Sequence, residues 1–204
     1  MLREFKITNP FARSTEMFTG QLDLNHEEIA KFMRQHLHGG ASDKYTSYFD
    51  QRQNSRMNKD MPCRRQMINA MIACCDTYAK VRNMDTERLH DHGEPDCWFS
   101  EYVDGDRHTL HNHPRALLAG TYYPYADEDS CDIRFRHPAC GQLSMVEPWN
   151  TESADFDFVI HRLQPKTGMI NIWPSWMEHE IGPQKKVPKE RSRLAISFNY
   201  GRAR

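Results

Sequence analysis

A chain of 204 residues is long enough to bury one substantial core and short for two. Its 27 Lys and Arg balance 28 Asp and Glu, so no global field marks nucleic acid or a membrane surface as an obligatory partner. No run approaches the ~20 apolar residues of a membrane span, and Met1-Leu2-Arg3-Glu4-Phe5-Lys6 lacks the apolar centre of a signal peptide. A cytoplasmic protein is expected. Cys63, Cys74, Cys75, Cys97, Cys131 and Cys140 show no CxxC spacing and read as reduced thiols, in keeping with that location.

The first hundred residues read mostly as helix and loop. Asn25, followed three residues later by Glu28, has the form of a capping box, and Ile29, Phe32 and Met33 then share one helical face. This predicts a helix over about 26 to 37, ended by Gly39-Gly40. The polar stretch from Ser42 to Lys59 interleaves Tyr45, Tyr48 and Phe49 with Arg52, Arg56 and Lys59. It reads either as a loop that orders over a substrate, such as a peptide or nucleic acid, or as a solvated insertion. Pro62 suits the first turn of a second helix, along which Ile68, Met71, Ile72, Cys75 and Ala79 form a core stripe.

From Cys97 the pattern changes to short apolar or alternating segments separated by turn signals, as in an all-β sandwich or barrel. The expected strands are Trp98–Tyr102, Thr109–Asn112, Ala116–Tyr123, Ile133–Arg136, Asp157–Leu163, Met169–Trp173, Glu178–Gly182 and Arg193–Tyr200. Such a set suits a jelly roll. The expected fold is therefore mainly β with N-terminal helices, as one domain over 1–204: a helical support over 1–96 and a jelly-roll core over 97–204.

Eleven histidines are many for this length, and their placement matters more than their number. In a strand, residues i and i+2 share a face, so His111 and His113 would direct both rings toward one point, where a ligand from another strand could close a metal site. His90-Asp91-His92 has the same spacing but lies among Asp85, Glu87, Gly93 and Glu94, so it reads as a solvated loop with no strand to aim it. Gly105 and Gly120 bracket the second pair, and Gly168 followed by Pro174-Ser175-Trp176-Met177-Glu178-His179 repeats the plan.

This arrangement resembles the two motifs of the cupin superfamily, a double-stranded β-helix. The match departs at Leu117 and Leu118, where cupins usually carry a glutamate, and at Trp176, where they carry a glycine. A closer resemblance accounts for the departures. His111-Asn112-His113-Pro114, Ala119-Gly120-Thr121-Tyr122-Tyr123, Trp173 to His179 and Arg193-Leu194-Ala195-Ile196-Ser197-Phe198-Asn199 are similar, in order, to the signature blocks of a 2-oxoglutarate–Fe(II) oxygenase family common in phages and bacteria. The blocks span about Trp98 to Tyr200.

The resemblance implies a jelly roll holding Fe(II) through His111, His113 and His179. It also implies an arginine opening the last strand that pairs with the far carboxylate of 2-oxoglutarate. Arg193 matches; its planar guanidinium meets a carboxylate in two parallel hydrogen bonds and keeps its charge when buried. Arg191, two residues earlier, is the rival. Many such oxygenases carry His-x-Asp or His-x-Glu, so either His113 is the third ligand or a carboxylate such as Asp106 or Glu101 reaches the iron. Ala195 stands where relatives often have a serine, and Tyr123 or Ser197 would supply that hydroxyl instead. Tyr122 and Tyr123 alternate across their strand, with Tyr123 expected inside. Trp98, Trp173 and Trp176 are expected to pack rather than to stack on substrate.

The implied activity is 2-oxoglutarate- and Fe(II)-dependent dioxygenation, hydroxylating a C–H bond of an unknown small molecule, protein side chain or nucleic acid with molecular oxygen and releasing succinate and CO2. The host cytoplasm would be its location if a phage encodes it. Two alternatives stand: a three-histidine cupin-type dioxygenase that does not use 2-oxoglutarate, and a non-catalytic jelly-roll binding module. The sequence leaves the oligomeric state open.

Overall fold

The structure, a computed structural model, describes residues 2–11, 15–37, 60–91, 93–141 and 159–202. The glycine pair Gly39-Gly40, the stretch from Ser42 to Lys59 and the start of the expected strand at Asp157 lie outside them.

The chain opens with two strands, β1 (Leu2–Phe11) and β2 (Thr15–Leu22), where helix and loop were expected. Among the described residues three helices follow: α1 (His26–His36), α2 (Arg64–Val81) and the short α3 (Thr86–His90). The reciprocal cap expected at Asn25 is present, with Asn25 Oδ1 accepting from the Glu28 N–H at 3.2 Å and Asn25 Nδ2 donating to Glu28 Oε2 at 3.1 Å. Pro62 stands just ahead of α2, whose N-cap is Cys63, and not in its first turn.

Eight further strands lie among the described residues: β3 (Asp96–Tyr102), β4 (His108–His111), β5 (Ala116–Tyr125), β6 (Ile133–Arg136), β7 (Ile160–Leu163), β8 (Met169–Pro174), β9 (His179–Ile181) and β10 (Arg193–Arg202). Every expected strand from Trp98 onward overlaps one of these. They form two antiparallel sheets, one ordered β1-β2-β8-β5-β10-β3 and the other β4-β9-β6-β7. This is the mainly β, jelly-roll architecture expected. The N-terminal hairpin belongs to it, since β2 pairs with β8.

Strand alternation divides the large sheet into two faces. Leu118 and Tyr122 of β5, Ile170 and Ile172 of β8, and Leu194, Ile196, Phe198 and Tyr200 of β10 join a core with Ile29 and Met33 of α1 and Met67, Met71 and Tyr78 of α2. The intervening residues Ala119, Tyr123, Trp173 and Ala195 face the other way and join Ile133, Phe135 and Ile181 of the small sheet in a second core. Each fully buried large apolar side chain stabilises by roughly 1.5–3 kcal/mol, so both faces help to fix the register.

Gly120 shows how tightly the outer face is packed. A Cβ there would strike the Phe198 ring and stand 2.8 Å from the Asn171 carbonyl oxygen. Among the described residues, no helix is long and apolar enough to cross a membrane.

Candidate metal centre

β4 and β9 pair so that His111 is the register partner of His179, and β9 in turn sets His179 against Phe135 of β6. Directly opposed residues in an antiparallel pair present their side chains to each other. His113 arrives differently from the expectation. β4 ends at His111, so the pair does not lie within one strand. His113 is held instead by its backbone N–H, which donates to the Ser175 carbonyl at 2.8 Å on the turn before β9.

The ligand atoms of His111, His113 and His179 all lie within 4.8 Å of one another. His113 Nε2 and His179 Nε2 are 3.2 Å apart. An imidazole nitrogen binds a first-row ion at ~2.0–2.1 Å, so two such ligands at right angles stand ~3 Å apart, and the spacing fits one shared ion. Two of the other ring nitrogens are engaged. His111 Nδ1 donates to the Thr109 carbonyl at 2.7 Å and His179 Nδ1 to that of Met177 at 3.0 Å, which leaves both Nε2 lone pairs facing the cluster.

Burial keeps these rings neutral. It lowers the His111 pKa, takes His113 down to about 4 with the nearby His111 adding to the effect, and takes His179 well below the ordinary histidine value. Neutral imidazoles are the form that binds metal.

Among the described residues the cluster contains no carboxylate. Both candidates are occupied elsewhere: Asp106 Oδ2 accepts from the Val103 N–H at 2.9 Å, and Glu101 Oε1 from Ser192 Oγ at 2.6 Å. His90 is no loop residue. It ends α3, with Nδ1 2.9 Å from the Tyr200 hydroxyl and Nε2 3.1 Å from Asp76, and so ties two helices to β10. His92 lies outside the described residues.

Arg193 opens β10 on the inner face and is 1% exposed. Its guanidinium carbon lies 4.4 Å from the Tyr102 ring centre and 5.1 Å from that of Tyr123. Arg193 Nε and Nη1 are sealed from solvent and have no hydrogen-bond partner among the described residues. The same holds for Tyr123 Oη, Asn171 Nδ2 and Trp173 Nε1. The Asn171 amide is oriented by Thr19, whose hydroxyl lies 3.0 Å from Oδ1.

Among the described residues no anion offsets the arginine. Burial pushes the Tyr102 phenol up to about 12 and raises Tyr123 and the Cys131 thiol, so all three neighbours stay neutral. An unmade hydrogen bond costs ~1–3 kcal/mol and an unpaired buried charge more, so this group of donors fits an acidic ligand.

Arg191 lies elsewhere. It belongs to a 3-10 turn, Lys189–Arg191, rather than to a strand, and its Nη2 pairs with Asp127 at 2.8 Å and Asp129 at 2.9 Å. Tyr123 is fully buried inside the barrel, whereas Tyr122 packs outward under the helices and bonds His26 at 2.7 Å. Ser197 lines the pocket beside the histidines, its hydroxyl 3.1 Å from that of Thr121. Trp98 stacks on the His113 ring with centroids 5.5 Å apart, Trp173 meets His179 edge-on at 4.9 Å, and Trp176 is 50% exposed.

Two residues of the pocket went unread in the sequence, Tyr102 and His108. Tyr102 is the register partner of Arg193, visible only once β3 and β10 are paired. His108 sits three residues before His111, which strict alternation would place on the opposite face. A register shift between them brings their rings to 4.1 Å.

A cluster of neutral imidazoles on β4, β9 and the turn after β4 of the small sheet, with a buried, charged arginine on the inward face of β10 in the large sheet, is the donor set of a metal-dependent enzyme that takes an acidic ligand. The family model described as "Putative 2OG-Fe(II) oxygenase" matches residues 96–199, about half of the chain, and the protein belongs to that family. It is an oxidoreductase of the 2-oxoglutarate–Fe(II) oxygenase class. Among solved structures it is similar to a prolyl-4-hydroxylase from Pseudomonas putida, at 14% identity and a TM-score of 0.49, over 98% of this chain and 79% of that one. It is also similar to a 2OG-Fe(II) oxygenase family oxidoreductase from Burkholderia pseudomallei, at 12% identity and a TM-score of 0.37, over 52% and 42% of the two chains. No curated protein matches the chain.

Proposed function

We propose that His111, His113 and His179 hold Fe(II), and that Arg193, with the hydroxyls of Tyr123 and Ser197, binds 2-oxoglutarate for the hydroxylation of a C–H bond in a further substrate. When bound, the metal and cosubstrate supply the oxidising chemistry, with molecular oxygen consumed and 2-oxoglutarate converted to succinate and CO2. The chain's own residues bind, orient and exclude water. Arg193 anchors the far carboxylate through two parallel hydrogen bonds, and the Tyr102 and Tyr123 rings on the guanidinium hold its plane. The three histidines would hold the ion, with the Nε2 lone pairs of His111 and His179 left free by the backbone bonds of their Nδ1 atoms. Trp98, Trp173 and Phe135 restrain two of the rings and keep water from them.

One observation carries this reading: a fully buried arginine with two unpartnered N–H groups among the described residues, whose register partner Tyr102 lines the same pocket as the histidines. The deciding experiment supplies Fe(II), ascorbate, oxygen and 2-oxoglutarate and measures succinate. Substrate-uncoupled turnover that is lost in His179→Ala and Arg193→Ala is expected. Its absence, together with no binding of 2-oxoglutarate to the metal-loaded protein, would favour a three-histidine dioxygenase that takes its substrate directly, a reading to which the lack of a carboxylate among the clustered residues lends support.

A further inference from the structure

A polar row crosses the inner face of the large sheet. Thr19 of β2, Asn171 of β8, Thr121 of β5 and Ser197 of β10 are successive register partners, one from each strand. Two hydrogen bonds run along the row: the Thr121 and Ser197 hydroxyls are 3.1 Å apart, and the Thr19 hydroxyl donates to Asn171 Oδ1 at 3.0 Å. Asn171 faces inward because Ile170 and Ile172, on either side of it, join the core under the helices, whereas Trp173 joins the core between the sheets.

Asn171 is 0% exposed, yet its Nδ2, which carries two hydrogens, has no hydrogen-bond partner among the described residues. With Oδ1 accepting from Thr19, Nδ2 is left for another acceptor. An unmet buried donor of this kind costs ~1–3 kcal/mol, a cost that an apolar residue of the same size would not carry. Tyr123, two residues along β5 from Thr121, is the diagonal neighbour of Asn171 on this face, and diagonal pairs lie within reach of long side chains. The Arg193 guanidinium carbon lies 5.1 Å from the centre of the Tyr123 ring. Since β5 runs between β8 and β10, Tyr123 stands between Asn171 and Arg193. A carboxylate offers about four lone-pair sites on its two oxygens. The fork of a guanidinium fills two of them, and the Tyr123 hydroxyl, itself sealed and unpartnered among the described residues, fills a third. Asn171 Nδ2 is a donor for the fourth.

We infer that Asn171 is a further residue of the 2-oxoglutarate site, its side-chain amide donating to the far carboxylate, with Thr19 fixing the orientation of that amide. The inference rests on Arg193 binding 2-oxoglutarate as proposed above. It brings the N-terminal hairpin, which precedes the family-matching residues 96–199, into the support of the cosubstrate site.

The test is calorimetric titration of the Fe(II)-loaded full chain, under anaerobic conditions, with 2-oxoglutarate and with 2-oxopentanoate, the same keto acid with a methyl group in place of the far carboxylate. Thermal melts establish folding. Asn171→Leu, close in volume and without a donor, is expected to weaken 2-oxoglutarate binding about 10–100-fold, as loss of a hydrogen bond to a charged group does, and to leave 2-oxopentanoate binding within about twofold of wild type. Thr19→Val, which releases the amide, should give a smaller loss with the same selectivity, and it carries the comparison if Asn171→Leu does not fold. Wild-type affinity for 2-oxoglutarate in these variants, alongside its loss in Arg193→Met, would overturn the inference and leave the arginine site standing. Equal weakening of both keto acids, the result expected of a purely structural role, would overturn it as well. No binding of 2-oxoglutarate by the wild type, or undiminished binding by Arg193→Met, would overturn the arginine site and the inference with it.

Discussion

Arg193 and Tyr102 are register partners across β10 and β3, and the guanidinium carbon lies 4.4 Å from the centre of the phenol ring with no anion beside it among the described residues. A charge held this way destabilises the ligand-free fold, which makes it a functional rather than a structural feature. Arg193→Met is expected to raise the ligand-free stability by ~1–4 kcal/mol, as replacing buried charge by a well-packed apolar group does elsewhere. The same variant should lose the rise in melting temperature that 2-oxoglutarate gives the metal-loaded wild type. Denaturant titrations and melts with and without cosubstrate measure both, and a variant less stable than wild type yet still shifted by 2-oxoglutarate would sink the assignment.

Arg191→Ala separates the two arginines. Its partners Asp127 and Asp129 lie on the turn after β5, outside the barrel, and surface ion pairs of this kind contribute little. Cosubstrate affinity and succinate formation should equal those of wild type, and a tenfold loss in either would move the carboxylate site to Arg191.

Much of the barrel was legible because its strands are short, alternate between two cores and end at turn residues, so Ile133–Arg136 and the start of Arg193–Arg202 can be read to the residue. The hairpin of β1 and β2 was not. β1 is an edge strand whose Glu4, Phe5 and Lys6 are exposed, and β2 buries adjacent Met17 and Phe18 in opposite cores, so neither shows a simple period of two. At the site, the three histidines were legible as a motif, but the reason given for His113 was wrong in part. A hydrogen bond to Ser175, not strand alternation, brings it into the cluster. His108 was hidden by the register shift, which no local pattern announces.

Gly120 tests the packing between the sheet and the helices. Its missing side chain makes room for Phe198, so Gly120→Ala forces the ring or the β5–β8 ladder at Asn171 to move. Overpacking of this kind typically costs ~1–3 kcal/mol. Chemical denaturation should show that loss, and Gly120→Ala/Phe198→Leu should recover part of it. A neutral single variant would mean that β5 and β10 can separate more easily than their shared register implies.

The histidines also predict how the metal-free protein responds to acid. In the unfolded chain each ring has an ordinary pKa near ~6.5. In the fold, burial takes His108 and His113 down to about 4 and lowers His111 and His179. Between those values the unfolded chain binds more protons than the native one, so stability is fully present above about pH 6.5 and falls as the pH drops toward 4. His137 and His161, lowered by burial as well, act in the same direction. Carboxylates stay ionised over the upper part of that window, so a fall in melting temperature between pH 6.5 and about 5 reports the histidines. Melts of chelator-treated protein across this range should show the decline, and His108→Phe should flatten part of it. Co(II) holds the rings neutral and so should shift the decline to lower pH. A melting temperature that stays level from pH 7 to 5 without metal would mean that these rings take up protons in the folded state, and that the pocket is wetter than its aromatic walls imply.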